Sequence, residues 1–437
     1  MKKVFFMVII NWWLCAELNA QAWMPLLGGL DFQARVLHSD SITNKLFVGG
    51  NFGSVDGHQA LGIAAWNGIL WDTLGGGLPN IVRSITGFQN YVYVGGDFIY
   101  LNSPNTGLVN GFTRWNGFSF DSVGTFQNDN NGILQLFEHN NLLYCIGGFD
   151  SVNHIHSPMI TSWDGNNIFP IGFPNWASGY MLGCFFQNEL YIAGNFYDSS
   201  GTLYGFAKWN GTNWIQIGTV GGFVGSMVVY NNELYIGGNY LTGPSSHLVK
   251  YDGTNFSAVG NDIHGAIFNL RIIDDKLFAV GTIDTAGVVP VSNIAVWDGN
   301  NWSAFSNDTF DQTVSDIAVF NGEMYVTGGF RYINSDTVNY IAKYDGWHLG
   351  EELPAKRNKD IVKIYPDPVS DNLILEFSYA DAEIKYLSIY NLLGKKVLEA
   401  NFDSQKYSVD VSGLADGLYI AEVRNSKTIL RKKIIKE

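Results

Sequence analysis

Positive charge is scarce in this chain. Over 437 residues it carries 26 Lys and Arg against 40 Asp and Glu, a formal net charge of −14. The imbalance is uneven: from Glu351 onward there are 14 basic and 14 acidic residues, which leaves 12 basic and 26 acidic before it. Phosphate backbones are bound by clustered cations, so an acidic body with so few of them excludes nucleic acid as a partner. Charged residues are only 15% of the chain, too few for a disordered polymer. Proline is limited to 11 residues while glycine reaches 50 and aromatics 15%, a balance that suits many short strands joined by tight turns. The three cysteines form no metal-binding pairs. Past the first residues no segment has the roughly 18 consecutive apolar positions a spanning helix needs, so no transmembrane helix is expected in the mature chain. No glycine-rich phosphate loop leads into a helix, and no nucleophile elbow is present.

Met1-Lys2-Lys3, an apolar run from Val4 to Cys15 and small residues at Ala20 and Ala22 read as a signal peptide over residues 1–22. The mature chain keeps Cys145 and Cys184, which read as buried thiols, although export would permit a disulfide.

One phrase recurs seven times. An aromatic residue precedes Asn-Gly or Asp-Gly, as in Trp66-Asn67-Gly68, Trp115-Asn116-Gly117, Trp297-Asp298-Gly299 and Tyr344-Asp345-Gly346. About 20 residues earlier stands an apolar residue followed by Tyr or Phe, from Leu46-Phe47 to Met324-Tyr325, spaced 43 to 51 residues apart. A period of that size marks a propeller or solenoid. Asn-Gly and Asp-Gly favour the left-handed backbone of a hairpin turn, placing the dipeptide between third and fourth strands of each unit. A second aromatic often follows five residues after the first, at Trp71, Phe120, Trp214, Phe256 and Trp302. The pair shares one face of the hairpin and reads as core. Trp23 to Gly29 looks like the fourth-strand phrase from Trp71 to Gly76 without its first three strands, and the last unit lacks an aromatic at Leu349. The N-terminal strand is therefore expected to complete the last unit. The expected fold is all-β, a seven-bladed β-propeller over 23–350 followed by a small immunoglobulin-like β-sandwich. With Gly49-Gly50-Asn51-Phe52 and Gly95-Gly96-Asp97-Phe98, the region resembles the kelch-like and galactose-oxidase-like repeats of secreted bacterial proteins. That resemblance concerns fold and names no ligand.

Residues 351–360 read as a linker, and 361–437 as six or seven short alternating strands. Within the latter, Ile364-Tyr365-Pro366-Asp367-Pro368, Ile389 to Lys395 with Gly394, Val409 to Tyr419 with Gly417, and the basic strand containing Lys432 and Lys433 stand in order. This set resembles the C-terminal sorting domain of the type IX secretion system, subtype A; Asp367 departs from the family's usual Asn. The resemblance implies the translocon and sorting machinery as partners, with delivery to the outer cell surface or the medium.

Candidate chemistry is sparse. Asp150 with His154 and His156 could hold a metal, because His-x-His on an extended segment turns both rings to one face. Asn128 to Gly132 offers oxygen donors for calcium but lacks a later bidentate Glu, and read as an inter-unit turn it needs no ion. A copper site with a Tyr-Cys crosslink is disfavoured because Tyr144 and Cys145 are adjacent and face opposite sides of a strand. No catalytic residue and no cofactor is assigned. The expected function is a secreted or surface-displayed binding module, plausibly for an extracellular glycan or surface polymer. The alternatives are a polysaccharide hydrolase or lyase using channel-mouth carboxylates, and a purely structural surface protein.

Overall fold

The structure is a computed structural model that describes residues 22–102, 106–172, 176–198, 205–218, 220–345, 362–366, 368–377, 385–391, 395–404, 406–424 and 429–436. The signal-peptide reading, the 351–360 linker, Asp367 and Gly394 lie outside the described residues. The chain divides into two compact units, 1–350 and 351–437. It is all-β, with a single three-residue 3-10 turn, Leu74–Gly76, among the described residues. No helix there is long and apolar enough to cross a membrane.

In the first unit seven antiparallel sheets repeat one strand order, the third with a short extra strand, and four smaller sheets of two or three strands accompany them among the described residues. The first sheet runs Ala34–Asp40, Lys45–Gly50, Ile63–Trp66, Trp71–Asp72. The first strands of the next six are Val82–Phe88, Phe126–His139, Trp176–Phe186, Phe223–Tyr230, Ile267–Ile273 and Val314–Phe320. In the seventh sheet the fourth strand is Ala22–Pro25, which pairs with Ile341–Asp345 so that Trp23 stands opposite Tyr344. Trp23 is buried, 4.9 Å from the Tyr344 ring and 5.5 Å from that of Phe310.

Second strands such as Lys45–Gly50 and Tyr91–Gly96 are buried at every position after the first. A strand covered on both faces needs a continuous apolar run instead of alternation, which is why the Leu-Phe and Val-Tyr phrases are so regular. The cover comes from the neighbours. Seven apolar clusters each join two consecutive sheets, such as Phe47 and Val48 of the first sheet, which face Val94 on one side and Tyr325 on the other. The cluster of Leu37, Leu46, Phe320 and Tyr325 joins the seventh sheet to the first.

In the recurrent turn the dipeptide is not left-handed as a whole. Trp66 faces Trp71 directly, as Trp209 faces Trp214, so the loop holds four residues. Only the glycine is left-handed, with φ from 95° to 105° at Gly68, Gly117, Gly165, Gly211, Gly253 and Gly299. The preceding Asn or Asp instead accepts from two backbone N–H groups ahead of it, as Asn67 Oδ1 does from Ile69 and Leu70 at 2.9 Å each. At Asp164, Asp252 and Asp298 those N–H groups hold the carboxyl below its ordinary pKa. Two-residue turns with both φ positive lie between first and second strands: Gln89-Asn90, Asn140-Asn141, Gln187-Asn188, Asn231-Asn232 and Asp274-Asp275. Asn and Asp tolerate that backbone better than other residues with a side chain.

In the second unit a three-stranded sheet (Val362–Tyr365, Asn372–Phe377, Lys406–Asp410) and a four-stranded sheet (Lys396–Phe402, Lys385–Asn391, Gly417–Arg424, Ile429–Lys436) share one apolar cluster that includes Leu373, Leu375, Leu387, Ile389 and Ala421.

Candidate functional site

The first strands of all seven sheets line one cavity of about 730 Å³. Each has at least one break in its ladder register, and this feature decides what the cavity is made of. The register slips across Arg35, Arg83, Leu134, Gly225, Phe268 and Ser315, and between Ala177 and Tyr180 in the fourth sheet. A bulge leaves one residue outside the ladder and re-aims its side chain. All six of those single-residue bulge positions line the cavity, and so does Tyr180.

In several sheets a Gly at or next to the end of the second strand gives the bulge room. A Cβ on Gly96, Gly238, Gly281 or Gly328 would drive into the carbonyl oxygen of Ile81, Phe223, Ala266 or Thr313, at or just before the start of the neighbouring first strand. Glycine belongs where two backbones approach this closely.

Three arginines reach the cavity. Arg83 makes a two-pronged ion pair with Asp97, Nε–Oδ1 2.7 Å and Nη2–Oδ2 2.6 Å, which raises its pKa. Arg271 does the same with Asp316, at 2.9 and 2.7 Å. Asp316 is fully buried and also accepts from Leu37 N at 2.8 Å and Asn269 Nδ2 at 2.7 Å, so one carboxylate ties the sixth, seventh and first sheets together. Arg35 has no hydrogen-bond or ion-pair partner among the described residues. Its pKa is lowered by the protein packed around it and then by the charge of Arg83.

Rings from three successive sheets line the same cavity. Tyr180 stacks on Phe223 at 5.3 Å and 24°, and Phe223 meets Phe268 edge-on at 6.1 Å. Burial pushes the Tyr180 phenol up, with Arg83 and Arg35 opposing, so the hydroxyl is protonated at neutral pH and lies in the field of both guanidiniums. No Asp or Glu occurs among the described residues that line the cavity. His38 lines it at the other end; its Nε2 is buried without a partner and burial lowers its pKa to about 4.

The Asp150, His154 and His156 group does not converge. Asn153 and His154 both have positive φ and form the turn of a hairpin in which Ser151 pairs with His156. A turn residue and a strand residue do not share a face, so the extended-segment premise fails. His154 Nδ1 lies 3.2 Å from Gln127 Nε2, and His156 Nδ1 lies 3.3 Å from Asp150 Oδ1. Among the described residues no three His, Cys, Asp or Glu side chains are placed to hold a metal. Asn128 to Gly132 is part of the irregular strand Phe126–His139, not an inter-unit turn. Cys145 and Cys184 are free thiols; burial raises both, Cys184 to about 12.

In the second unit, Tyr365 ends a strand and donates to Glu376 at 2.5 Å, followed by Pro366 and the exposed Pro368. Gly417 opens the next-to-last strand, and Tyr419 is buried, its hydroxyl donating to Ala415 O at 2.8 Å. Lys432 and Lys433 lie in the last strand opposite Ala421 and Ile420; their side chains lie outside the described residues.

Residues 363–437 match the secretion system C-terminal sorting domain. This domain indicates export and a cell-surface or secreted location. No curated protein matches the chain. Among solved structures the chain is similar to the extracellular domain of the putative hybrid two-component system BT4673 from B. thetaiotaomicron, with 12% identity, TM-score 0.51 and 96% of this chain covered. It is also similar to PorZ, a surface component of the type IX secretion system of Porphyromonas gingivalis, with 13% identity, TM-score 0.43 and 93% covered. The chain spans 59% of the length of each of these solved chains. At such identity the BT4673 likeness is one of fold.

Proposed function

We propose that the first unit is a seven-bladed β-propeller of the kelch-like kind, and that its central cavity is the binding site of an exported surface protein for an extracellular glycan. The blade reading is supported by seven sheets of one strand order, apolar clusters between consecutive sheets, and an N-terminal strand in the seventh. The binding reading is carried by the cavity wall. Aromatic rings, hydroxyls and amides from different sheets converge there without a carboxylate among them, and a glycosidase of the usual two-carboxylate kind needs a pair. Aromatic faces with a few oriented polar groups suit sugar rings, and the volume falls in the range of small-molecule sites.

The test is to incubate the purified full-length chain with a panel of extracellular polysaccharides, scoring retention and release of reducing ends separately. Retention without release is expected. Release of reducing ends would replace this reading with the hydrolase, and retention of no polymer would leave the structural role.

A further inference from the structure

The cavity has a charge character opposite to that of the unit around it. Of the five arginines before position 351, Arg35, Arg83 and Arg271 line it. Two are matched one-to-one, by Asp97 and Asp316. Arg35 is not, and the described lining offers no further carboxylate. The cavity therefore carries one net positive charge: Arg35 is crowded by protein and repelled by Arg83, both of which lower its pKa, and the Asp97 charge that partly opposes them is already paired with Arg83. An arginine so perturbed is still charged at neutral pH, and a partly desolvated charge without a counter-charge is unfavourable. An anion from solution relieves it.

Shape narrows the anion further. Arg35 is a bulge residue free of the ladder, and the Tyr180 hydroxyl, in its field, also has no hydrogen-bond partner among the described residues. The guanidinium fork pairs with planar or tetrahedral oxyanions through two parallel hydrogen bonds. One net positive charge matches one negative charge, so a dianionic phosphate monoester fits less well. The stacked Tyr180 and Phe223 rings lie within the same cavity.

We propose that the ligand is a glycan bearing a singly charged acid group, a uronate carboxylate or a sulfate ester, which pairs with Arg35 while its ring rests against Tyr180 and Phe223. This deepens, and rests on, the glycan-binding reading above.

The experiment uses the full-length chain and three oligosaccharides of equal length: an oligogalacturonate, a sulfated galacto-oligosaccharide and a neutral galacto-oligosaccharide. Binding is measured by calorimetry at about 50 mM salt, where charge pairing is only partly screened. At least one acidic oligomer should bind about tenfold or more tighter than the neutral one, the scale of a charge-assisted hydrogen bond. Whichever acidic oligomer binds more tightly identifies the acid. In Arg35→Gln the preference should shrink below about twofold. Tyr180→Leu should weaken all three, and unchanged tryptophan fluorescence shows that both variants fold. Equal affinity for acidic and neutral oligomers, or an acidic preference that survives Arg35→Gln, overturns the acid assignment and leaves the glycan reading standing. Failure of all three to bind overturns both.

Discussion

Replacing Asp316 with Ala should cost the first unit about 3–4 kcal/mol. The carboxylate is fully buried and accepts five hydrogen bonds: two from Arg271, and one each from Asn269, Leu37 N and Ile317 N. Breaking a buried pair by removing one member costs about 3–5 kcal/mol, because the other charge is left uncompensated. Arg271 is 39% exposed towards the cavity, so water recovers part of that charge and the low end applies. The buried N–H of Leu37 adds about 1 kcal/mol for a lost partner. Arg271→Ala should cost about 3 kcal/mol by stranding the carboxylate. Because the two losses share one interaction, the double variant should cost less than their sum by about 1.5 kcal/mol or more. Urea unfolding followed by tryptophan fluorescence is the assay. All 13 tryptophans fall at or before position 347, so the signal reports the first unit alone. A loss under about 1 kcal/mol for Asp316→Ala, or strictly additive effects, would refute the idea that this carboxylate locks the sixth, seventh and first sheets.

Trp23→Ala should destabilise the same transition by about 3–5 kcal/mol, since the ring is buried against Tyr344 and Phe310; an unchanged urea midpoint would remove the N-terminal strand from the core. Gly238→Ala should cost about 2 kcal/mol or more and weaken glycan retention, because a Cβ there collides with Phe223 O and displaces the bulge; wild-type stability and retention would contradict that. His38 titrates near 4 in the folded chain against 6.5 unfolded, so the unfolded state binds more protons between those values. Stability should therefore fall as pH drops through that window, by at most about 3 kcal/mol, and His38→Gln should flatten the difference. Parallel stability–pH curves for parent and variant would show that His38 is not the group responsible.

The repeats were legible because a strand buried on both faces and a four-residue turn each demand particular residues, which recur at Phe47, Tyr93, Gly68 and Gly117. The sorting motif was legible for the same reason, as an ordered set from Tyr365 to Tyr419. The cavity was not legible. Arg35, Leu134, Gly225, Phe268 and Ser315 share no residue type, because a bulge position is defined by its missing ladder partner and not by its side chain. The signal that could have found them is indirect: the Gly at Gly50, Gly96 and Gly281 has no turn to make, so it marks a close backbone approach on the strand before it. Asp150, His154 and His156 show the converse, a spacing that suggests a shared face where the backbone gives none. His-x-His implies one face only on extended backbone, and Asn153 was the warning that the chain turns there.

A bulge residue that stands outside the hydrogen-bond ladder and lines the cavity can be exchanged without disturbing the ladder pairing or the clusters between sheets, provided it has no close backbone neighbour or ion pair of its own. Positions 35, 134, 268 and 315 are of this kind, whereas Gly225, where a Cβ would collide with Ile267 O, and Arg83, paired with Asp97, are not. A lineage carrying this scaffold can change what it recognises one substitution at a time while its stability is held elsewhere, which makes the rim a readily evolvable part of an exported protein.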